Sequence, residues 1–340
     1  MSILEQIQGH VMRDLVPGAF PESLGVEMTN RCNLDCVFCP RDDIERPLQN
    51  MKDELFQKIA DEASHHEFVS FQPQGLGESM AHTRWSALIG YASDKGVWPM
   101  TLISNGGLLN DEKIEALLSS KVEVITFSID STDPEVFAKV RRRGKLPAIE
   151  EKVRQLLEEK KRRKLDKPRI VLRIIRMKEN EHEIGEFYQR WTPYLGEGDE
   201  ITTSEVHTWQ GRVEDRTVES FVPVAGQEDP RVPCCMPFKQ LNVLVDGDAT
   251  PCCYDNNAKL LVGNVREKSI EEIWHDEPIE KLRRLHLEGK VDQIPFCAGC
   301  KEKVVPTPQQ LASLPPEYQA ILAENPLLGK QGDGESSQES

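Results

Sequence analysis

The amino-acid sequence predicts an α/β protein, with a partial (β/α)6 barrel over residues 23–210 and a small β-hairpin plus helix unit over residues 234–305. Three observations predict this architecture. Six short apolar, β-prone runs are each followed by a longer segment with helical periodicity, which is typical of a parallel sheet. Polar or glycine-containing motifs follow those runs, where parallel β/α folds gather their ligand-binding groups. The nine cysteines form two groups, within residues 32–39 and 234–300.

The apolar runs predict the strands, and the periodic segments between them predict the helices. Strands are expected at residues 24–28, 68–72, 100–103, 122–129, 170–175 and 200–207. Helices are expected at residues 82–94, 112–118, 147–165 and 183–194. One more helix is predicted to follow an N-cap at Asn50, and another to begin at Asp133-Pro134, since Asp favours the cap and Pro the first helical position. Six such units predict an open barrel.

The remaining segments are expected to flank or extend this barrel. Residues 1–22 are predicted to form an N-terminal arm, residues 211–233 a connector, and residues 306–340 a C-terminal tail that is partly disordered. In the second unit, alternation over residues 240–245 and a turn at 246–248 predict a β-hairpin. A capping-box pattern at Ser269 predicts the start of a helix.

Composition limits the possible partners. The chain has 340 residues, a formal net charge of -15 and a pI of about 5.1. This charge argues against binding to nucleic acid or an anionic membrane, because both require dense positive charge. No secretory signal pattern and no run of 18 apolar residues occurs, which predicts a cytoplasmic protein. Cytosolic thiols stay reduced, so the cysteines are expected to be metal ligands rather than disulfide partners.

The first cysteine group lies directly after the first predicted strand. Cys32, Cys36 and Cys39 place three thiolates on one short loop. A closed zinc site requires four protein ligands, whereas an iron-sulfur cubane held by three cysteines leaves one iron open to a small molecule. The loop therefore favours a cluster with an open iron, and the second cysteine group implies another metal centre.

Over roughly residues 20–305 the chain resembles radical S-adenosylmethionine (radical SAM) enzymes with a TIM-like barrel and a C-terminal twitch domain, the shortened relative of the SPASM domain. The cysteine loop matches the family motif, including the aromatic Phe38. Gly75-Leu-Gly77-Glu78 resembles Gly-Gly-Glu-Pro, although Leu76 interrupts the glycines and Ser79 replaces the proline. Ser104-Asn105-Gly106 resembles Thr-Asn-Gly, and Ser128-Ile-Asp130 resembles Ser-Leu-Asp.

This resemblance implies a SAM-binding 4Fe-4S cluster on Cys32, Cys36 and Cys39. It implies that Glu78 meets the methionine amine of SAM and that Arg173 holds its carboxylate. The complete predicted cofactor-binding set is Phe38, Gly75, Gly77, Glu78, Ser104, Asn105, Ser128, Asp130 and Arg173.

The resemblance also implies one auxiliary 4Fe-4S cluster, and hence two clusters in total. Its predicted ligands follow the twitch spacing and are Cys235, Cys252, Cys297 and Cys300. Four cysteines suit a structural zinc ion equally well. Cys234 and Cys253 lie beside two of these residues, so the ligand within each pair is left open.

The function implied is reductive cleavage of SAM to a 5′-deoxyadenosyl radical that takes hydrogen from a small polar metabolite, such as a sugar, aminocyclitol or nucleoside. A net oxidation is expected, with the auxiliary cluster as electron acceptor and a flavodoxin or ferredoxin as electron donor. His207 and Glu205 are the predicted catalytic residues, with His207 as base. Trp209, Arg212, Tyr254 and Asp255 are further polar candidates near the mouth.

Three other functions stay open on the sequence. A peptide-maturing enzyme would form a cross-link or an oxidised residue. A radical epimerase would return hydrogen from a free thiol such as Cys234 or Cys253. A non-catalytic iron-sulfur or zinc scaffold would bind metal without cleaving SAM.

Overall fold

A nine-stranded mixed sheet is the framework of the computed structural model, which describes residues 15–67, 70–214, 229 and 231–328. Its strands are β1 (Ser23–Val26), β3 (Ser70–Gln72), β4 (Met100–Ser104), β5 (Val122–Ser128), β7 (Arg169–Arg176), β8 (Glu200–Glu205), β9 (Gln240–Val243), β10 (Asp248–Thr250) and β11 (Gly263–Asn264). A separate ribbon joins β2 (Asp35–Cys36) to β6 (Arg141–Arg142). The sheet order is β8, β7, β5, β4, β3, β1, β9, β10, β11, and every pair from β8 to β9 is parallel.

Helices follow the first five barrel strands as predicted, and the α/β fold with a mostly parallel sheet is confirmed; after β8 the described residues hold no helix before the second unit. In the barrel the helices are α1 (Asp53–Ala63), α2 (Trp85–Asp94), α3 (Asp111–Ser119), α4 (Pro134–Val140), α5 (Leu146–Arg163) and α6 (Ile184–Trp191). In the second unit they are α7 (Met236–Lys239), α8 (Ile270–Trp274) and α9 (Glu277–Leu287), and the tail contains α10 (Pro308–Ala312) and α11 (Pro316–Ala323). None of the helices in the described ranges combines the length and apolar character that crossing a bilayer requires.

The ends of the helices test the predicted caps. Asp133 caps α4 as expected, since its carboxylate accepts hydrogen bonds from the backbone of Glu135 and Val136 at 2.7 and 3.0 Å. The capping box at Ser269 is also confirmed. The predicted cap at Asn50 is wrong, because α1 begins at Asp53. Asn50 instead accepts a hydrogen bond from the Thr29 hydroxyl at 2.7 Å, which ties the loop after β1 to the segment before α1.

The β-hairpin predicted in the second unit is present and extends the barrel sheet. Strand β9 pairs with β1 in parallel register, from Ser23 opposite Gln240 to Val26 opposite Val243. One hydrophobic cluster contains apolar residues of both units, including Leu24 of β1 and Trp274 of α8. The two units therefore share a sheet and a core, which the sequence did not predict.

Residues 1–14 of the predicted N-terminal arm, most of the predicted connector and residues 329–340 of the predicted tail lie outside the described residues. Leu15 is described and is fully buried against the second unit, beside Phe238 and Leu287. Two short helices, α10 and α11, form the described part of the tail.

A buried ion pair links the two units beside the cysteine loop. Arg46 Nη2 donates to both carboxylate oxygens of Glu27 at 2.9 and 3.1 Å, and its Nε donates to the Asn256 carbonyl oxygen at 2.7 Å. Glu27 also accepts from the Val245 backbone at 3.1 Å. Burial raises the pKa of Glu27, and the Arg46 charge opposes that rise. The positive charge of Arg46 therefore compensates the negative charge of the buried Glu27 carboxylate.

Replacing Arg46 with methionine is expected to lower the free energy of unfolding by ~3–5 kcal/mol at pH 8, because the Glu27 charge loses its partner. The folded-state pKa of Glu27 is raised, so the folded chain binds the extra proton. The loss of unfolding free energy caused by Arg46→Met is therefore expected to shrink as the pH falls through the raised pKa of Glu27. Urea titrations of the anaerobic holoprotein at pH 6 and 8 measure this difference. The double variant Arg46→Met, Glu27→Gln is the control and is expected to recover part of the stability at pH 8; an equal loss at both pH values would contradict the account.

Candidate active site

A cavity of about 540 Å3 opens at the carboxyl ends of the parallel strands. This volume lies within the usual range for small-molecule sites. Thirteen predicted site residues line it: Cys32, Cys36, Phe38, Cys39, Gly75, Gly77, Glu78, Ser104, Asn105, Ser128, Arg173, Glu205 and His207. The motifs that follow separate strands in the sequence therefore meet around one space.

The ribbon between β2 and β6 fixes the first cysteine loop. Cys36 lies opposite Arg141, and the Val37 backbone donates to the Val140 carbonyl oxygen at 3.0 Å. Burial raises the pKa values of all three thiols, that of Cys39 to about 12. Iron binding removes a thiol proton, so a bound cluster supplies the positive charge that these buried sulfurs require as thiolates.

The three cysteines line a cavity and do not converge on the position of a single metal ion. Within the described ranges, no three His, Cys, Asp or Glu side chains converge as ligands of one metal ion. In a cubane each thiolate binds a different iron, so its cysteines line a shared cavity. All three cysteines line the same 540 Å3 cavity, and this placement fits an iron-sulfur cluster.

Glu78 and Gly77 join the cysteine loop to the cavity wall. The Glu78 backbone donates to the Arg31 carbonyl oxygen at 2.9 Å, and a Cβ at Gly77 would lie 2.3 Å from the Thr29 carbonyl oxygen. Only glycine allows this close approach. The Glu78 carboxylate accepts from the Ser104 hydroxyl at 2.9 Å and from the Asn105 backbone at 2.8 Å, and burial raises its pKa.

Arg173 presents a partly buried positive charge to the cavity. It donates to the Ser128 hydroxyl at 2.7 and 3.2 Å, and burial lowers its pKa. No carboxylate in the described part of the chain forms a salt bridge with it. A partly buried guanidinium on a cavity wall is stabilised by an anionic partner, so Arg173 fits the carboxylate of a bound SAM.

Asp130 has a different position from the predicted cofactor contacts. It is fully buried behind the cavity wall, where its carboxylate accepts from Nε of Arg141 at 2.6 Å. Arg141 in turn lies 3.7 Å from the Cys36 sulfur and 5.2 Å from the centre of the Phe38 ring. We therefore propose that Asp130 orients Arg141 rather than touching the cofactor. A role for Arg141 at the site was not predicted from the sequence, where the arginine run at residues 141–143 was its only signal.

The two predicted catalytic residues line the cavity near the end of β8 without contacting each other. Glu205 is about half exposed and pairs with Arg176 at 2.7 Å. His207 Nδ1 lies 3.4 Å from the Tyr254 hydroxyl. The role of His207 as base stays a prediction.

Residues 207–212, here called the bridge segment, connect the two cysteine groups. The Trp209 indole donates to the Phe38 carbonyl oxygen at 3.0 Å, and the Gln210 amide donates to the Cys300 sulfur at 3.5 Å. Both residues have positive φ, 54° and 63°. Left-handed backbone at non-glycine residues costs ~1–3 kcal/mol each and persists where surrounding contacts enforce it. The segment is thus held in position by both cysteine loops.

Five cysteines of the second group lie near one another, and Cys235 does not join them. The Cys234 sulfur interacts electrostatically with Cys252, Cys253, Cys297 and Cys300. Burial raises its pKa to about 11.

Cys235 is fully buried in an apolar cluster with Phe238 and Leu287. The structure thus gives the two cysteines of this pair different surroundings, which the sequence left open. We propose Cys234 as the auxiliary ligand in place of the predicted Cys235.

A smaller cavity of about 280 Å3, here called the inner chamber, lies between the main cavity and this second cysteine group. The two cavities share Gln74, Gly75, Leu76, Ile103 and Trp209 as lining residues. Cys252 and Cys253 line the far side of the chamber.

The fold and both cysteine sites define an iron-sulfur enzyme built on a partial β/α barrel. Residues 26–190 match the family model of the radical SAM superfamily, and residues 234–301 match that of the SPASM iron-sulfur cluster-binding domain. The chain is a radical SAM enzyme with a C-terminal SPASM-type domain, and its cofactors are SAM and two 4Fe-4S clusters. The family resemblance of the sequence is confirmed.

Known proteins similar to the chain have different substrates. A Pyrococcus furiosus protein named as a tungsten-containing aldehyde ferredoxin oxidoreductase cofactor-modifying protein is 24% identical over 314 residues, covering 82% of this chain and 86% of that protein. The structure of BtrN in complex with AdoMet and 2-DOIA has a TM-score of 0.56 at 17% identity, covering 85% and 96% of the two chains. Streptococcus suis SuiB bound to its precursor peptide SuiA has a TM-score of 0.63 at 14% identity, covering 82% and 69%. The two structures show the fold alone.

Proposed function

We propose that the chain is a radical SAM oxidoreductase that oxidises a small polar molecule, of sugar, aminocyclitol or nucleoside type. The observation that carries this proposal is the bridge segment, which contacts both cysteine loops and borders the cavity between them. A flavodoxin or ferredoxin is the proposed electron donor. When bound, SAM and its cluster supply a radical that removes a hydrogen atom, and the auxiliary cluster accepts one electron.

The residues of the chain hold the cofactors in this proposal. Cys32, Cys36 and Cys39 ligate the SAM-binding cluster. Glu78 faces the methionine amine of SAM, and Arg173 with Ser128 faces its carboxylate. The auxiliary cluster is ligated by Cys234, Cys252, Cys297 and Cys300.

His207 is the proposed base. Converting a CH-OH group to a carbonyl removes one hydrogen atom, one electron and one proton, so the oxidation needs a group that accepts the proton. His207 lines the cavity beside the Tyr254 hydroxyl, whereas Glu205 is engaged by Arg176. Removing a positioned base lowers turnover by ~10²–10⁴-fold.

The size of the main cavity supports a small substrate. Its volume of about 540 Å3 has to hold the cofactor as well as the reacting part of the substrate. The space left suits a metabolite better than an extended peptide, although the similarity to SuiB makes peptide maturation the alternative to test. A radical epimerase is the second candidate, because Cys253 lines the inner chamber and has a thiol hydrogen to return.

The experiment follows 5′-deoxyadenosine formation by the reconstituted anaerobic holoprotein with SAM and a low-molecular-weight metabolite fraction. The metabolite fraction is expected to stimulate 5′-deoxyadenosine formation even after it has been treated with peptidase. The product is expected to be two mass units lighter than its substrate. His207→Ala is expected to lower product formation at least ~100-fold, whereas the exposed His182→Ala serves as the matched control. Loss of stimulation after peptidase treatment would favour the peptide alternative. A product of unchanged mass that gains solvent deuterium would favour the epimerase.

A further inference from the structure

The inner chamber has a lining that differs from that of the main cavity. Four amide side chains border it, those of Gln72, Gln74, Asn242 and Asn256. Among the described residues, no Lys, Arg or His side chain lines it. The chamber therefore has no cationic group with which to bind phosphate or carboxylate.

The two carboxylates at the chamber already have protein partners. Glu27 is paired with Arg46 and accepts from the Val245 backbone. Asp255 accepts from the Thr250 hydroxyl at 2.8 Å and from the backbone of Leu260 at 2.7 Å. Their bonding capacity is directed into the protein, so the amides are the polar groups left to meet a ligand.

Within the described part of the chain, three of these amides are anchored at one end only. The Gln72 nitrogen donates to the hydroxyls of Ser23 and Ser70, both at 3.2 Å, and the Asn242 nitrogen donates to the Thr250 carbonyl oxygen at 3.4 Å. The Gln74 oxygen accepts from the Ile103 backbone. The side-chain oxygens of Gln72 and Asn242 and the side-chain nitrogen of Gln74 are the groups left to bond a ligand. Hydroxyl groups can both donate and accept, so they can satisfy all three ends.

Gly25 sets the position of one of these groups. A Cβ at residue 25 would lie 2.4 Å from the Asn242 side-chain oxygen. The absence of a side chain on β1 thus leaves room for the Asn242 amide against the strand. This packing fixes the orientation of the amide at the chamber wall.

We propose that the inner chamber holds the substrate, a neutral, polyhydroxylated ring of sugar or cyclitol size, through Gln72, Gln74 and Asn242, with its reacting carbon facing the main cavity across the lining that the two cavities share. This inference rests on the proposed function and names the substrate class for that site. At about 280 Å3 the chamber lies just below the usual range of small-molecule sites, so it holds a single ring. A phosphate or a peptide backbone would lose hydration there without matching charges or enough hydrogen bonds.

The test measures binding to the anaerobic holoprotein in the presence of SAM by ligand-observed NMR. The probes are myo-inositol, myo-inositol 1-phosphate and N-acetyl-alanyl-alanine amide. Saturable binding of myo-inositol is expected, with the phosphate at least ~10-fold weaker and the dipeptide weaker still. Asn242→Leu and Gln72→Leu are each expected to weaken myo-inositol binding ~10-fold, because a site that bonds a hydroxyl loses affinity when its partner is removed. Gln155→Leu, on the surface of α5, is the matched control and is expected to bind as the wild type does.

The inference is overturned if the phosphate or the dipeptide binds more tightly than myo-inositol, if myo-inositol shows no saturable binding, or if both chamber variants bind it unchanged. Thermal unfolding of each variant shows whether a loss of binding reflects loss of fold. Gly25→Ala gives a second route, since it keeps the Asn242 amide but displaces it, and is expected to weaken myo-inositol binding as well. An enzyme that forms a lighter product yet prefers the anionic probe would overturn the chamber assignment and leave the proposed oxidation standing.

Discussion

The Cys36→Ala variant is expected to lose SAM cleavage entirely, with 5′-deoxyadenosine below detection in the reduced protein. Cys36 is held by the β2–β6 ribbon opposite Arg141, with its sulfur 3.7 Å from the guanidinium of that residue. The site has three cysteines, so losing one leaves two ligands for the cluster that binds SAM. Chromatographic assay of 5′-deoxyadenosine with dithionite as reductant measures this loss.

Cys235→Ala is the matched control for this variant. Cys235 is buried in an apolar cluster and belongs to neither proposed set of cluster ligands, so its replacement is expected to retain SAM cleavage. Substantial 5′-deoxyadenosine from Cys36→Ala, or equal loss in both variants, would contradict the assignment of the loop.

The second prediction with a large effect concerns the iron content of the auxiliary site. Cys234→Ala is expected to lose roughly four of eight irons per chain, whereas Cys235→Ala is expected to keep all of them. The physical reason is the direction of the two side chains: the Cys234 sulfur interacts with Cys297 and Cys300, and Cys235 packs against Phe238. Iron and acid-labile sulfide analysis of the reconstituted variants measures the difference.

The opposite pattern, with iron lost only from Cys235→Ala, would restore the ligand predicted from the sequence. Zinc in place of iron and sulfide in the wild-type site would contradict a cluster at that position. SAM cleavage by Cys234→Ala in the absence of substrate separates the two sites, because the first cysteine loop is untouched in this variant.

The barrel was predictable because its signals are local. Each apolar run and each amphipathic segment lies within one stretch of chain, and strands β4, β5 and β7 match the expected bounds to within one residue at each end. The gathering of Glu78, Ser104 and Ser128 around one cavity follows from parallel topology alone, since carboxyl ends of such strands share an edge.

The rest depends on contacts between distant residues. Arg141 reaches Cys36 only through the register of a two-residue ribbon, and no local pattern specifies that register. The Asp130 carboxylate accepts a hydrogen bond from the same arginine, 11 residues away in the sequence. The choice between Cys234 and Cys235 depends on how α7 packs against Leu287 in a separate helix. The bridge segment has no periodicity, and its left-handed residues depend on contacts with Phe38 and Cys300.

The central claim is that the chain holds two separate clusters, of which only the one on Cys32, Cys36 and Cys39 binds SAM. An EPR-monitored reductive titration of the anaerobic holoprotein, with and without SAM, tests this most directly. The account predicts two reduced 4Fe-4S signals, one that changes on addition of SAM and is missing from Cys36→Ala, and one that is unaffected by SAM. A single signal, or a SAM-responsive signal that persists in Cys36→Ala, would contradict it.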